Sequence, residues 1–421
     1  MEKVVVIGLG RVGLPFALIL AEAGFDVTGI DKNPELLGMV RRKEPPFKEE
    51  GCRDYLIRFV GKGLEPSHDI EAVVKADYVV ITVGTPVDDN LNPVLEDLLR
   101  VVDQIVPWLH EGQTLLLRST MSPRTTERVA KYIEERTGLI ADKDIFVATC
   151  PERIAEGRAL SELRTIPQII GGIGPNSTGK AKRVFDCIGV HVLETDPLSA
   201  ELAKLFTNMY RYIQFATANE FFMITEHHGR SFSEVRRLVN TGYSRGGLAG
   251  AGFAAGPCLY KDGFFLLDSV PYTELITNSW RINENLPNFL VGLIQAKIPL
   301  ERSRVAILGM AFKADVDDTR QSLSFRLAKL LRARGAIVTE HDPHVARFAS
   351  RTLASVVETA EIVIIAVPHL AYALELPPLL HRDSNILVCD VWNVCGTDQT
   401  LFGVEQLPSP ARTMASAEGR V

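Results

Sequence analysis

The segment Gly256-Pro257-Cys258-Leu259-Tyr260-Lys261-Asp262 sets a thiol between a Gly-Pro bend and a Lys-Asp pair. A thiolate is a strong nucleophile, and a nearby cation such as Lys261 lowers a thiol from its usual pKa of about 8.5. A single dehydrogenation of an alcohol has no use for a thiol. Taking an aldehyde on to the acid does, because the thiol holds the half-oxidised carbon covalently for a second oxidation. The segment therefore points to an enzyme that carries an alcohol to a carboxylate; the plainer alternative is a buried structural cysteine. Lys204 and Asn208 are four apart on one helical face, with Arg211 three further on the same stripe. A Lys and an Asn together can stabilise an oxyanion, while a solvated charged face is the alternative. Pro151-Glu152-Arg153 follows a strand end, and Glu156 comes one turn later. Either carboxylate could reach a cofactor or a substrate hydroxyl, or could stabilise a helix N-terminus.

A cofactor site stands at the start of the chain. In Gly8-Leu9-Gly10-Arg11-Val12-Gly13 the first glycine allows a tight turn and the second lets the backbone approach a pyrophosphate. The third lets the helix pack on the sheet, and the helix N-terminus faces the phosphate charge. Asp31 comes at the distance expected of a carboxylate on ribose hydroxyls. It would repel a 2′-phosphate, which favours NAD over NADP, although Lys32 stands beside it. Gly84-Thr85-Pro86 and Ser119-Thr120 each follow a strand's C-terminal end, where ligands of such sheets bind.

These residues need elements to hold them. Lys3–Ile7 reads as a strand, followed by a helix through Ala23 and a strand from Phe25 to Ile30, which is a βαβ unit. Further strands are expected at Tyr78–Val83, Thr114–Arg118 and Ile145–Thr149. A helical segment without a breaker runs from Pro197 to about Gly229, suited to bridging domains or forming a dimer spine. Helices continue to about Ala296, and the stretch from Thr241 to Pro257 is rich in Gly and Ala. At Arg304 the pattern restarts: a strand into a Gly turn, a helix over Ser324–Gly335, and strands at Ala336–Glu340, Ile362–Val367 and Ile386–Val391. The expected fold class is α/β, with two Rossmann-like doubly wound parallel-sheet domains joined by a central helical domain with a long helix. The boundaries read as 1–190, 191–300 and 301–410, with 411–421 a disordered tail.

The 421 residues suit two or three domains, and a net charge of −6 disfavours a nucleic-acid partner. No apolar run is long enough to cross a bilayer, and the N-terminus has no signal-peptide pattern, so no membrane partner is expected. The six cysteines form no CxxC pair and no zinc-spaced cluster, which fits a reducing cytoplasm and predicts no metal. Cys52, Cys187 and Cys389 read as small buried hydrophobes.

Taken together, GLGRVGLP, VGTP at Gly84, ST at Ser119, CPERIAEG at Cys150, AELAKLFTNMYR around Lys204, AGFAAGPCLYKD around Cys258 and LGMAFKADVDDTRQS around Lys313 resemble the UDP-glucose/GDP-mannose dehydrogenase family over nearly the whole chain. PERIAEGRALSELRTIPQIIGG, TGYSR and AGFAAGPCLYKD look most like its UDP-N-acetylmannosamine dehydrogenase branch, with Arg153 and Arg211 matching that branch's arginines. The resemblance implies an N-terminal NAD domain, a central dimer-forming helical domain and a C-terminal domain that binds the nucleotide diphosphate. It implies that Cys258 is the nucleophile and Lys204 the proton carrier. Asn208 and Asp262 assist with oxyanion and water, and Glu152 joins the catalytic set. NAD would meet Gly8, Gly10, Arg11, Val12, Gly13, Asp31, Thr85, Thr120, Glu156, Lys261 and Arg320. The nucleotide sugar would meet Arg153, Ile154, Arg211, Tyr243, Arg245, Gly252, Phe312 and Lys313. The TGYSR loop departs from the pattern: it lacks the His that relatives often place near the equivalent of Arg245, and Thr241 stands nearby. The implied reaction is NAD-dependent four-electron oxidation of a UDP-sugar C6 hydroxyl, with UDP-N-acetylmannosamine, UDP-N-acetylglucosamine or UDP-glucose as substrate. A 3-hydroxyacid dehydrogenase would also place a Lys and an Asn four apart on a long helix, and a non-catalytic NAD-binding module is the remaining alternative.

Overall fold

The computed structural model describes residues 1–267, 272–381 and 385–408. The expected tail 411–421 lies outside the described residues. The fold is built on two sheets. In the first, β1 (Lys3–Ile7), β2 (Asp26–Ile30), β3 (Leu64–Ser67), β4 (Tyr78–Ile81), β5 (Thr114–Leu117), β6 (Phe146–Thr149), β7 (Gln168–Gly172) and β8 (Val192–Thr195) lie in the order β3-β2-β1-β4-β5-β6-β7-β8. Its central strands β4, β5 and β6 are buried at every position. Strands buried on both faces must be continuously apolar, and that is how YVVI and TLLL read in the sequence. Helices such as Gly13–Glu22, buried at nine successive positions from Gly13 to Ala21, cover the sheet.

The second sheet holds β9 (Arg304–Leu308), β10 (Ile337–His341), β11 (Ile362–Ile365), β12 (Leu387–Cys389) and β13 (Leu401–Gly403) in the order β10-β9-β11-β12-β13. It repeats the centre of the first. Gly8 N–H donates to Ile30 O at 2.7 Å, and Gly309 N–H donates to His341 O at 2.8 Å. Leu9 N–H donates to Asp31 Oδ2, and Met310 N–H to Asp342 Oδ2, both at 2.7 Å. The same turn is thus closed twice by a carboxylate at the end of the second strand.

Two points differ from the sequence expectation. Each sheet has one antiparallel pair, β6 with β7 and β12 with β13, so neither is wholly parallel. The strands also stop one or two residues inside several expected limits, which is ordinary at strand ends. β3 and β8 gave no clear signal because they are edge strands with exposed positions and, in β3, a proline.

The chain divides into two compact units. The first takes Met1–Asn208 together with the segment that starts at Lys261; the second takes Met209–Tyr260 together with the segment that starts at Tyr272. Central helices are shared between the two units. The first change of unit falls inside the long helix Pro197–His227. In the second unit, Glu274–Gln295 is a long helix that buries Leu286, Leu290, Val291 and Ile294 against the second sheet's core.

Candidate active site

In the first unit the dinucleotide turn has the shape that its glycines predict. Gly8 has φ +96°, and a Cβ at Gly13 would lie 1.7 Å from Gly8 O, so a side chain at either position would break the turn. A Cβ at Gly10 would meet nothing within 4 Å, which leaves open space where a pyrophosphate would approach. The helix that begins at Gly13 has no side-chain cap and no acidic residue in its first turn, so its positive end is left for an anion. Asp31 accepts from Leu9 N–H at 2.7 Å and from Asn33 N–H at 2.8 Å, so its carboxylate stands at the rim of that turn. Thr85 is buried, and its hydroxyl donates to Thr120 O at 2.6 Å; the loops after β4 and β5 are stitched together at two of the expected cofactor positions. Arg11 and Glu156 approach to 3.7 Å, with the Arg11 guanidinium 5.0 Å from the Phe47 ring centroid. These residues fit a dinucleotide.

The same unit holds a second polar group. Lys204 and Asn208 are both 8% exposed, on one face of the long helix. Asn208 Nδ2 donates to Asp262 Oδ2 at 2.6 Å, and Asp262 is fully buried. Lys261 Nζ lies 3.2 Å from the other Asp262 oxygen and 4.5 Å from the Phe265 ring centroid. Asn208, Lys261 and Asp262 therefore form one hydrogen-bonded cluster.

Glu152 is held by three donors. Arg153 N–H and Ile154 N–H donate to Oε1 at 2.6 and 2.8 Å, and Arg118 Nη2 donates to Oε2. Oε1 therefore has both lone pairs engaged, while Oε2, with one donor, keeps lone-pair capacity for one water. Arg118 is the partner that sequence reading missed. Its side chain is fully buried at the end of β5, with Nη1 on Gln168 Oε1 at 2.9 Å and its guanidinium 4.1 Å from the Phe16 ring centroid. Burial pulls it down to about 10, with Cys150 acting in the other direction, so it remains a cation at neutral pH. A charge closing an all-apolar strand was the signal that could have found it. The Arg153 guanidinium donates to Pro167 O, and burial lowers its pKa.

In the second unit, Cys258 is exposed. Cys52, Cys150, Cys389 and Cys395 are buried, and burial pushes Cys52 and Cys150 up to about 12 and Cys389 and Cys395 higher still. Cys187 corrects the sequence reading. It is exposed, because Ala181, Val184 and Phe185 form the buried face of its helix and Cys187 lies off that face. Phe312 N–H donates to Asp318 O at 2.9 Å, and Lys313 Nζ lies 5.9 Å from the Phe312 ring centroid. Arg320 grips Asp318 with Nε at 2.9 Å and Nη2 at 2.6 Å from Oδ2. Arg211 is exposed, and the Arg245 guanidinium lies 5.1 Å from the half-exposed Tyr243 ring. Gly252 is buried against Trp392.

Asp315, His344 and His369, from the loops after β9, β10 and β11, bring three potential metal ligand atoms within 4.8 Å of one another. Hydrogen bonding accounts for His369. Asp315 N–H donates to its Nδ1 at 2.9 Å, and its Nε2 lies 3.1 Å from buried Asp342 Oδ2. Burial alone would raise the Asp342 carboxyl. The hydrogen bond from His369, with the Ala311 and His344 N–H groups, outweighs it and holds it at about 2.

Models of the UDP-glucose/GDP-mannose dehydrogenase family match along the chain in order: the NAD binding domain over residues 2–188, the central domain over 198–285 and the UDP binding domain over 306–397. A UDP-N-acetyl-D-mannosamine dehydrogenase of Methanocaldococcus jannaschii is 32% identical over 93% of this chain and 92% of its own. The chain belongs to this family. It is an NAD-dependent nucleotide-sugar dehydrogenase. The structure of the UDP-D-ManNAc dehydrogenase from Pyrococcus horikoshii is similar at a TM-score of 0.85 and 30% identity, over 90% of this chain and 92% of that one. A UDP-glucose dehydrogenase from Pyrobaculum islandicum reaches 0.83 at 27% identity, over 92% and 94%. The family's order of NAD and UDP domains accounts for the two sheets. No helix among the described residues is long and apolar enough to cross a membrane.

Proposed function

We propose that the protein oxidises the C6 hydroxyl of UDP-N-acetyl-D-mannosamine to the uronate in two successive two-electron steps. The observation that carries the two-step reading is the exposed Cys258 thiol three residues before Lys261, where four of the other cysteines are buried and the fifth, Cys187, lies on a helix of the first sheet. The mannosamine reading rests on relatives of that name across the length of the chain, 32% identical in one case and 31% in another. NAD supplies a hydride acceptor for each step. Lys204, buried on its helix face, takes the C6 proton directly or through a water, and Asn208 steadies the oxyanion. Cys258 Sγ adds to the aldehyde carbon to give a thiohemiacetal. Loss of the second hydride leaves a thioester. Water held by Asp262 and Glu152 attacks its carbonyl, expels the thiolate and yields the carboxylate. One alcohol and one water thus give one acid and two reduced cofactors. Of the sugar contacts, Arg153 and Arg211 serve the mannosamine reading, with Ile154, Tyr243, Arg245, Gly252, Phe312 and Lys313 around the nucleotide sugar.

An NADH assay over a panel of UDP- and GDP-sugars tests this. The expected result is highest kcat/KM on UDP-N-acetylmannosamine with two NADH formed per sugar. One NADH per sugar would overturn the two-step chemistry, and turnover confined to UDP-glucose would overturn the substrate. UDP-glucose is the second reading because the Pyrobaculum enzyme shares the fold at a similar TM-score.

A homodimer is also proposed. On the long helix Phe206, Tyr210, Phe221 and Ile224 are 46–66% exposed. At about 100° per residue they fall within about 60° of one another. Leu205, Met209, Tyr212 and Ala216 fill a separate, buried face. An exposed apolar stripe of this kind fits a second copy of the chain. Sedimentation at micromolar concentration should give a dimer that Tyr210→Glu disrupts; a monomeric wild-type protein would end the proposal. We place the enzyme in surface-polysaccharide precursor synthesis in the cytoplasm. A deletion strain that keeps the aminouronate at its surface would contradict that role.

A further inference from the structure

The second unit contains a buried amide that no catalytic role accounts for. Asn219 lies on the long helix with no exposed surface. Its Oδ1 accepts from Gly252 N–H at 2.8 Å and its Nδ2 donates to Gly252 O at 3.0 Å, so one side chain holds both polar groups of one residue. Nδ2 also donates to Asn283 Oδ1 at 2.9 Å, and Asn283 Nδ2 donates to Tyr212 O at 3.2 Å. Asn283 is likewise fully buried. The chain Gly252–Asn219–Asn283–Tyr212 thus ties the Gly/Ala-rich segment to two long helices.

Gly252 leads directly to the thiol. Every residue from Ala251 to Gly256 is buried, Pro257 is partly so, and Cys258 emerges. The segment is fixed on its other side as well. Gly252 has φ +146°, and a Cβ there would lie 2.3 Å from the Trp392 ring. Gly256 has φ +104°, and a Cβ there would lie 2.5 Å from Phe312; its N–H donates to Gln321 O at 3.3 Å. Both glycines adopt backbone that side-chain-bearing residues avoid, against aromatic rings from the loops after β12 and β9. Such backbone persists only where its surroundings hold it. The rings supply shape, whereas the Asn219 amide supplies the hydrogen bonds that choose one position along the segment.

We propose that Asn219 is a positioning residue: by clasping Gly252 it sets where the Cys258 thiol stands. This rests on the reading of Cys258 as nucleophile. Only a primary amide offers the acceptor and two donors that the site uses. The substitution Asn219→Asp would turn an acceptor toward Gly252 O and Asn283 Oδ1, and Asn219→Leu would leave Gly252 N–H and C=O buried without partners.

Asn219→Leu, Asn219→Ser and Cys258→Ser are compared by rapid-mix NADH formation, at a temperature where circular dichroism shows each folded. The expected result for both Asn219 variants is a first hydride step within about threefold of wild type at saturating sugar and conversion of aldehyde to acid slowed about 10- to 100-fold. Alkylation of Cys258 should also change relative to Cys187, the other exposed thiol. If melting falls while aldehyde oxidation and the Cys258 to Cys187 labelling ratio stay at wild-type values, Asn219 is only a core residue and the proposal is overturned. If Cys258→Ser still makes acid at the native rate, the nucleophile reading fails and takes the proposal with it; a stalled Cys258→Ser beside normal Asn219 variants overturns the proposal alone. Hydrogen exchange on the unmutated enzyme adds a readout that needs no folded variant. The Gly252 amide is expected among the well-protected sites, and fast exchange there would refute the clasp.

Discussion

Replacing Cys258 with serine leaves an enzyme that reduces its first equivalent of NAD and then stops. The first step withdraws a proton and a hydride from C6 and needs no sulfur, so its rapid-mix amplitude and rate should stay near wild type. The second step needs a covalent adduct. A thiol is a few per cent thiolate at neutral pH and intrinsically very nucleophilic, whereas a serine hydroxyl without a base beside it is neither. Steady-state formation of acid is expected to fall by about 10³-fold or more, with a transient of one NADH per active site. Mass spectrometry of wild-type enzyme quenched during turnover should show a sugar adduct on the Cys258 peptide that is absent from the variant. Native acid production by the variant would remove the thiol from the mechanism. Because the other exposed cysteine, Cys187, lies on a helix packed on the first sheet, Cys187→Ser serves as the control that changes nothing.

Much of this frame could be read from the chain because the signals are local. The glycine turn, its strand and its helix lie within thirty or so residues, and an apolar strand closed by an acid at Asp31 has only a few structural meanings. The restart at Arg304 was legible for the same reason, and the two turns closed by Asp31 and Asp342 make the repetition physical. The long helix showed itself by its period and lack of breakers. What the sequence hid is what depends on distant pairs. Arg118 and Glu152 are 34 residues apart, and Asn219 and Gly252 are 33 apart. No periodicity links such partners, since each polar residue looks like an interruption in an apolar run until the fold supplies the other. Cys187 was misread because residue type alone gave it the usual burial of a free thiol, while its place on the helix decided otherwise. The antiparallel pairs escaped because alternating strands and helices predict crossovers, and the stretch between β6 and β7 holds only the four-residue helix Ala159–Glu162.

Arg118→Met gives the largest expected loss of stability. The side chain it replaces has no exposed surface and carries a positive charge among Phe16, Phe185, Gln168 and Glu152. A buried ion pair adds little over a well-packed apolar pair, but removing one member leaves the other charged and poorly solvated, at about 3–5 kcal/mol. Methionine keeps much of the volume, so the cost falls on Glu152, which retains only the Arg153 and Ile154 N–H groups. At about 2–4 °C per kcal/mol for a domain of this size, the first unit should melt about 10 °C earlier. Arg118→Lys keeps the charge but not the fork that reaches Gln168 and Glu152 together, so it should fall between wild type and Arg118→Met. Adding Glu152→Gln to Arg118→Met removes the stranded charge and should recover part of the loss, and that coupling separates a charge effect from simple packing. Calorimetry on the four proteins decides it. Equal melting of Arg118→Met and wild type would mean that the Arg118–Glu152 pair contributes nothing to the fold, and a double variant no better than Arg118→Met would assign the loss to packing against the two phenylalanines.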